Sequence, residues 1–341
     1  MNARTDTQST GLSRRTFLAN ASALSAAVVL GMPRPAAAEP PPEVKKIRLV
    51  HAPAICLSPQ YLAEELLRLE GFSEIEYVDL AIPKGLSLVE TGRADMTMGA
   101  APDVVAALDA GRGVLSLAGI HAGCYELFVH GRIPTVKDLK GRSVVVTTDD
   151  STERLFISSI VAYVGVNPRD IHWITTRSAA EAMQTFVEGK ADAFLGFAPQ
   201  PQELRARNVG HVLLDTLQDR PWSQYFCCMV NARREFVEKY PAATRRALRA
   251  FLKAADLCAQ EPERAARYLA AKGYEPRYEM ALAILKDLPY GRWRDANPED
   301  TLRFHALRLH EVGLIKSSPE KLIAQGTDWR FLNQLKKELK T

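Results

Sequence analysis

The chain has 341 residues, with 44 lysines and arginines against 40 aspartates and glutamates and a formal net charge of +4. That length allows two lobes of ordinary domain size, and so small a charge excess leaves no basic footprint for nucleic acid or for an anionic lipid surface. Five cysteines, at 56, 124, 227, 228 and 258, are too few and too scattered for a disulfide framework, and at least one must stay unpaired within a monomer.

Residues 1–38 read as an export leader. Arg14 and Arg15 precede a weakly apolar stretch over 19–32 that runs on to Ala36-Ala37-Ala38, the order of a twin-arginine signal cut after Ala38. Asn20, Ser22 and Ser25 dilute a segment already shorter than the about 20 apolar residues that span a bilayer, which argues against a membrane anchor. No cysteine follows the stretch to carry a lipid, so the expected destination is the periplasm, reached through the twin-arginine export machinery. Without the leader, 40 basic residues face 39 acidic ones, and the mature surface is near neutral.

From residue 47 onward, short β-branched runs alternate with helical patterns, the signature of parallel sheets covered by helices. A strand over 47–51 feeds a loop at 52–57 and then a helix capped by Ser58, started by Pro59 and stopped by Gly71, with Leu62, Leu66 and Leu69 on one face. Strands over 74–78, 95–98 and 114–120 and helices over 86–90 and 103–109 complete a first α/β unit. A second follows, with strands over 143–147, 172–174, 191–196 and 212–214 and helices over 152–164, 179–187 and 202–207. The chain returns through 222–230, where Cys227 and Cys228 point to opposite faces of a strand and are expected to be small buried hydrophobes. Beyond Arg233 the pattern is helical, with Pro241, Pro262, Pro298 and Pro319 at helix starts. After Pro241, Leu248, Phe251 and Leu252 are expected to face inward, and Arg245, Arg246, Arg249 and Lys253 to form the solvated side.

One phrase is written twice. TGRADMTMGAAP at 91–102 and EGKADAFLGFAP at 188–199 share Gly92/Gly189, Ala94/Ala191, Asp95/Asp192, Gly99/Gly196, Ala101/Ala198 and Pro102/Pro199, six identities in twelve ungapped positions. Each copy reads as a helix closed by glycine, a buried strand, and the start of the next helix. Gly99 and Gly196 stand at carboxyl ends of strands, where open α/β sheets bind ligands. Two such edges, in two lobes joined by crossings near 121–133 and 218–231, would face each other across a cleft.

The leader, the paired G-x-A-D strands, PTVKDLKGRSVVV at 134–146 and FVEKYPAATRRALRAFLKA at 236–254 resemble the periplasmic solute-binding proteins of ABC importers. Within these the chain looks most like the NMT1/THI5-like branch, which includes nitrate, taurine, alkanesulfonate and thiamine-precursor binders. The resemblance covers essentially all of the mature chain. It implies a two-lobe, type II-like α/β periplasmic-binding-protein fold, with mixed sheets flanked by helices and a helical C-terminal region packed on the first lobe. On this plan lobe 1 is 39–128 with 224–341 and lobe 2 is 129–223. It further implies a monomer without a cofactor that closes on a small-molecule solute and presents it to permease and ATPase subunits.

By the same resemblance the ligand contacts fall on the loop after the first strand (Ala54, Cys56), the turn after the third (Gly99, Ala100, Ala101), the first crossing (His121, Gly123) and the helix start of the second lobe (Thr148, Asp149, Asp150, Ser151). Phe197 and Gln200 of the second repeat and Tyr225 of the return crossing complete the set. Sulfonate and nitrate binders of this type present Gly and Ser at that helix start, whose free N–H groups grip an anion. Here Asp150 and Glu153 form the pattern of a capping box, and Asp149 would repel an anion by about 1–4 kcal/mol at about 4 Å. A neutral or partly cationic organic solute is therefore expected, with Phe197, Trp222 and Tyr225 either stacking on it or packing the hinge. Neither His121 with Cys124 nor His51 with Cys56 makes a close-spaced set with carboxylates, so no metal is expected. No nucleophile elbow, phosphate loop, HExxH helix or dinucleotide fingerprint occurs, so binding is expected in place of catalysis. The alternatives are an exported enzyme of the thiamine-precursor type, with Cys227-Cys228 its one reactive-looking feature, and a ligand-sensing subunit for a membrane kinase.

Overall fold

Both copies of the repeated phrase become the middle strand of a five-stranded sheet in the computed structural model, which describes residues 39–52, 54–79 and 86–340. The expected leader at 1–38 lies outside the described residues. In chain order the strands are β1 (Lys46–His51), β2 (Glu74–Asp79), β3 (Met96–Ala100), β4 (Val114–Ala122), β5 (Tyr125–Val129), β6 (Ser143–Val146), β7 (His172–Thr175), β8 (Ala193–Phe197), β9 (His211–Asp215) and β10 (Phe226–Arg233). One sheet has the order β2-β1-β3-β10-β4 and the other β7-β6-β8-β5-β9.

The two sheets follow one plan. β3 lies between β1, which is parallel to it, and β10, which is antiparallel, and β8 lies in the same way between β6 and β5. Helices cover both faces, so β3 and β4 are buried at every position and read as largely apolar runs, broken by Thr97, Ser116 and His121. The glycines that close the preceding helices, Gly92 and Gly189, have φ of 72° and 70°, the left-handed conformation expected of them.

β5 already belongs to the second sheet, so the first crossing falls at Gly123 and Cys124, ahead of the expected boundary at 128. Gly123 has φ 57°, and a Cβ there would stand 2.5 Å from Leu217 Cα in the segment leading to the return crossing. Only glycine lets the two connections lie this close.

Helix Pro241–Gln260 buries Ala247, Leu248, Phe251, Leu252 and Ala255 and lies along helix Ser58–Leu69. Helix Pro298–Glu311 reaches further, packing on helices of both units, Ala101–Asp109 and Thr152–Tyr163. Two local expectations are corrected. Ser58 is the first helical residue after a 3-10 turn at Ile55–Leu57, and its hydroxyl donates to the Ile55 carbonyl in place of capping the helix. Arg249 is buried, not solvated: its Nε donates to Glu70 Oε1 at 2.7 Å and its Nη1 to Glu338 Oε1 at 3.0 Å. Among the described residues no helix is long and apolar enough to cross a membrane.

Candidate functional site

Tyr125 opens β5 just past the crossing, and segments from both sheets converge on it. Its buried ring meets Phe156 at 4.8 Å and Phe197 at 5.9 Å between centroids. Burial raises its hydroxyl well above the ordinary tyrosine value, and the charges of Glu153, Cys56 and Asp103 raise it further. The loop after β1, the helix after β3, the helix after β6 and the end of β8 therefore share one neighbourhood, at the carboxyl edges where the repeat predicted a cleft.

Two helix starts meet there. Asp103, in the first turn of Ala101–Asp109, accepts a hydrogen bond from Thr152 Oγ1 at 2.6 Å. Burial pushes its carboxyl up to about 7; the Thr152 bond opposes the rise, and Glu153, Glu90 and Asp150 add to it. Glu153 is also raised, chiefly by burial.

The expected capping box is replaced by a cap one residue later. Ser151 has the extended backbone of an N-cap (φ −74°, ψ 156°), and its Oγ accepts the Arg154 N–H at 3.3 Å. That register makes Glu153 the second helical residue, and its carboxylate meets the Ser151 hydroxyl and not the backbone N–H of Asp150. It also accepts from Thr147 Oγ1 at 3.2 Å, while Asp150 accepts from Thr148 Oγ1 at 3.0 Å. Asp149 is exposed and pairs with Arg154, so the buried acidic groups near Tyr125 are Asp103 and Glu153.

The other anticipated contacts divide. Ala54 precedes the turn that carries Cys56, Ala100 ends β3, and Ala101 begins the next helix. The close neighbour of Gly99 is a side chain, with Leu86 Cδ2 standing 3.2 Å from where a Cβ would be. The second repeat departs from the first at its helix start. Ala198–Pro199 is a cis peptide, and the helix begins at Gln200. Gln200 Oε1 accepts the Phe197 N–H at 3.3 Å and its Nε2 donates to Ala179 at 3.2 Å, so this amide braces the turn. Tyr225 stacks on Phe304 at 4.3 Å, and Trp222 lies edge-on to Tyr163 at 5.4 Å. Both rings pack the hinge in this form.

The histidine–cysteine pairs are redistributed by the fold. His51 Nδ1 bonds Asp79 Oδ1 at 2.7 Å, and Cys124 forms a disulfide with Cys227. Cys56 and His121 meet each other and Cys228, with all three buried and their ligand atoms within 4.8 Å of one another. Contact between the two thiols lowers Cys56 and raises Cys228. Residues 56, 121 and 228 lie too far apart in sequence to form a spacing motif, and only the pairing of β10 with β4 sets Cys228 opposite His121.

Residues 76–265, more than half of the chain, match the family model described as NMT1/THI5 like. No curated protein matches the sequence. The periplasmic nitrate-binding protein NrtA from Synechocystis PCC 6803 superposes with a TM-score of 0.75 at 16% identity, covering 88% of this chain and 90% of that one. The alkanesulfonate-binding protein SsuA from Xanthomonas axonopodis pv. citri, bound to MOPS, gives 0.70 at 18% identity over 86% of this chain and 100% of its own. The periplasmic aliphatic sulphonate binding protein SsuA from Escherichia coli gives 0.64 at 20% identity, over 84% and 94%.

Proposed function

The chain belongs to the NMT1/THI5-like family, and from that premise we propose that it is the substrate-binding component of an ABC importer. On this reading it is exported through the twin-arginine pathway, works in the periplasm as a monomer, and closes two lobes on a small organic solute for delivery to permease and ATPase subunits. No covalent step is involved. The observation that carries the reading is that the Asp103–Thr152 bond joins the helices after β3 and β6, with Tyr125 beside them in ring contact with Phe156 and Phe197. Contacts made from both sides at once are what give a hinge-closing protein its affinity.

The solved neighbours include nitrate- and sulfonate-binding proteins. In this chain Asp103 and Glu153 lie beside Tyr125, and an anion brought among them would add to the like charge that already raises Asp103. A solute that donates hydrogen bonds or carries partial positive charge suits that neighbourhood better.

A thermal-shift screen of neutral, cationic and anionic metabolites tests the proposal. The cognate solute at a hundredfold excess over its dissociation constant raises apparent stability by about 2.7 kcal/mol, is recovered unchanged, and loses affinity in Asp103→Ala. Preference for nitrate or simple sulfonates would refute the charge argument, and turnover of the solute would favour an enzyme.

A further inference from the structure

We propose that Cys56, His121 and Cys228 form a binding site for a soft, thiophilic metal ion, with three-coordinate monovalent copper as the ion it fits best. Two thiol sulfurs and one imidazole nitrogen lie within 4.8 Å of one another. Metal–sulfur bonds of about 2.3 Å put trigonal ligand atoms about 4 Å apart, so the ring needs to contract by less than an ångström.

An independent observation points to the same place. His121 is fully buried, yet its Nε2 has no hydrogen-bond partner. A buried polar atom left this way calls for an occupant. Its other nitrogen, Nδ1, lies 3.3 Å from the Ala122 carbonyl. A carbonyl only accepts, so Nδ1 carries the proton and Nε2 offers a bare lone pair, the tautomer a metal-binding histidine uses.

The three ligands are held by separate supports. Cys228 and His121 are register partners across β10 and β4, which directs their side chains to one face. Cys56 sits in the turn Ile55–Leu57, whose backbone receives the Tyr290 hydroxyl at the Cys56 carbonyl, 3.3 Å away. The Tyr290 ring lies edge-on to His121 at 5.1 Å. The strand is irregular here, so Cys227 does not point away as strand alternation predicts and its Sγ lies 3.9 Å from that of Cys228; its disulfide to Cys124 keeps it out of the set.

The donor set selects the ion. Sulfur and imidazole disfavour magnesium, calcium and manganese, which take oxygen ligands. Zinc takes four ligands in closed sites, and this buried set offers three. Binding exchanges thiol protons for the ion without any change in oxidation state. The inference holds whether or not the protein serves an importer, since it concerns the affinity of the isolated chain.

The test is an anaerobic titration of purified protein, with no reductant, against monovalent copper delivered from its bicinchoninate complex. One equivalent should transfer, with near-ultraviolet thiolate-to-copper absorption and an X-ray absorption spectrum showing two sulfur neighbours and one nitrogen. Cys56→Ser and Cys228→Ser should each weaken retention by about 100-fold or more, while Cys258→Ser, a buried thiol outside the set, leaves it unchanged. His121→Gln should remove the nitrogen neighbour. If the serine variants fail to fold, the parent's spectrum decides, because a shell without sulfur would overturn the site. No uptake by the folded parent, a Cys56–Cys228 disulfide, uptake only after Cys124–Cys227 is reduced, or tighter four-coordinate retention of zinc would each overturn it as well.

Discussion

Asp103 accepts the hydroxyl of Thr152 at 2.6 Å, and this bond joins the helix that follows β3 to the helix that follows β6. It spans the two units at the place where a hinge motion would have to part them. Replacing Thr152 with Val keeps the shape and deletes the donor, leaving a partly buried carboxyl unsatisfied. Closure should weaken by about 1–3 kcal/mol, seen as a larger radius of gyration by small-angle scattering and weaker solute binding.

The same carboxyl gives closure a pH dependence of definite sign. Burial pushes Asp103 up to about 7, against an ordinary value of 3.8 that water would restore in an open form. The closed form thus holds more protons between those limits. Closure should be strongest at low pH, weaken by up to about tenfold per pH unit from pH 4 to 7, and level off above 7. Scattering profiles from pH 4 to 8 check this, and Asp103→Asn should flatten them.

The disulfide from Cys124 to Cys227 spans 103 residues of sequence and fastens the first crossing to the return strand, with Cα atoms 6.5 Å apart. Linking such distant points restricts the unfolded chain, so the Cys124→Ser/Cys227→Ser double variant should lose about 2–4 kcal/mol by urea unfolding. Unfolded without reductant, the parent should show three titratable thiols, at Cys56, Cys228 and Cys258.

The sheets were legible because burial on both faces forces a largely apolar run, and because helices that end in the left-handed conformation call for glycine, as at Gly92 and Gly189. That the two copies would form matching middle strands followed from the repeat. The side-chain chemistry around them did not. Cys228 meets His121 only through strand pairing, a relation that spacing cannot encode. Ser151 displaced Asp150 as the cap because both residue types cap well, and a one-residue slip redirects Glu153. Arg249 looks like any residue on the polar side of a helix until Glu70 and Glu338 are brought over it from distant segments.

Arg249 and Glu70 form an ion pair whose side chains are only 8% and 9% exposed. Such a pair contributes little net stability when intact, but removing one partner strands the other charge out of water. Glu70→Ala should cost about 3–5 kcal/mol, measured by denaturant unfolding. The Glu70→Met/Arg249→Met double variant should recover part of that loss, because the buried pair leaves together while Arg246 and Glu338 each lose one partner.

The repeated aspartates are structural staples, and this accounts for their presence in both copies. Asp95 accepts the backbone N–H of Arg48 in β1 at 2.9 Å, and Asp192 accepts that of Ser143 in β6 at 2.8 Å, the same bond in each sheet. Their surroundings differ. Asp95 also holds the guanidinium groups of Arg48 at 2.7 Å and Arg233 at 3.2 Å, whereas Asp192 takes the Ser143 hydroxyl at 2.7 Å. Asp192→Ala should therefore cost about 1–3 kcal/mol, the penalty for unpaired donors. Asp95→Ala should cost more, since it leaves the partly buried Arg48 without its carboxylate and Arg233 with Glu235 alone. Burial alone would raise Asp192, but the Ser143 N–H and hydroxyl outweigh it and hold the carboxyl below its ordinary 3.8. A depressed value means that its contribution is present above pH 3.8 and is lost as pH falls through the folded-state value. The stability gap between parent and Asp192→Ala should hold from pH 7 to about 5 and shrink in stronger acid. A gap that widened on acidification would show that the bond to Ser143 is not what Asp192 supplies.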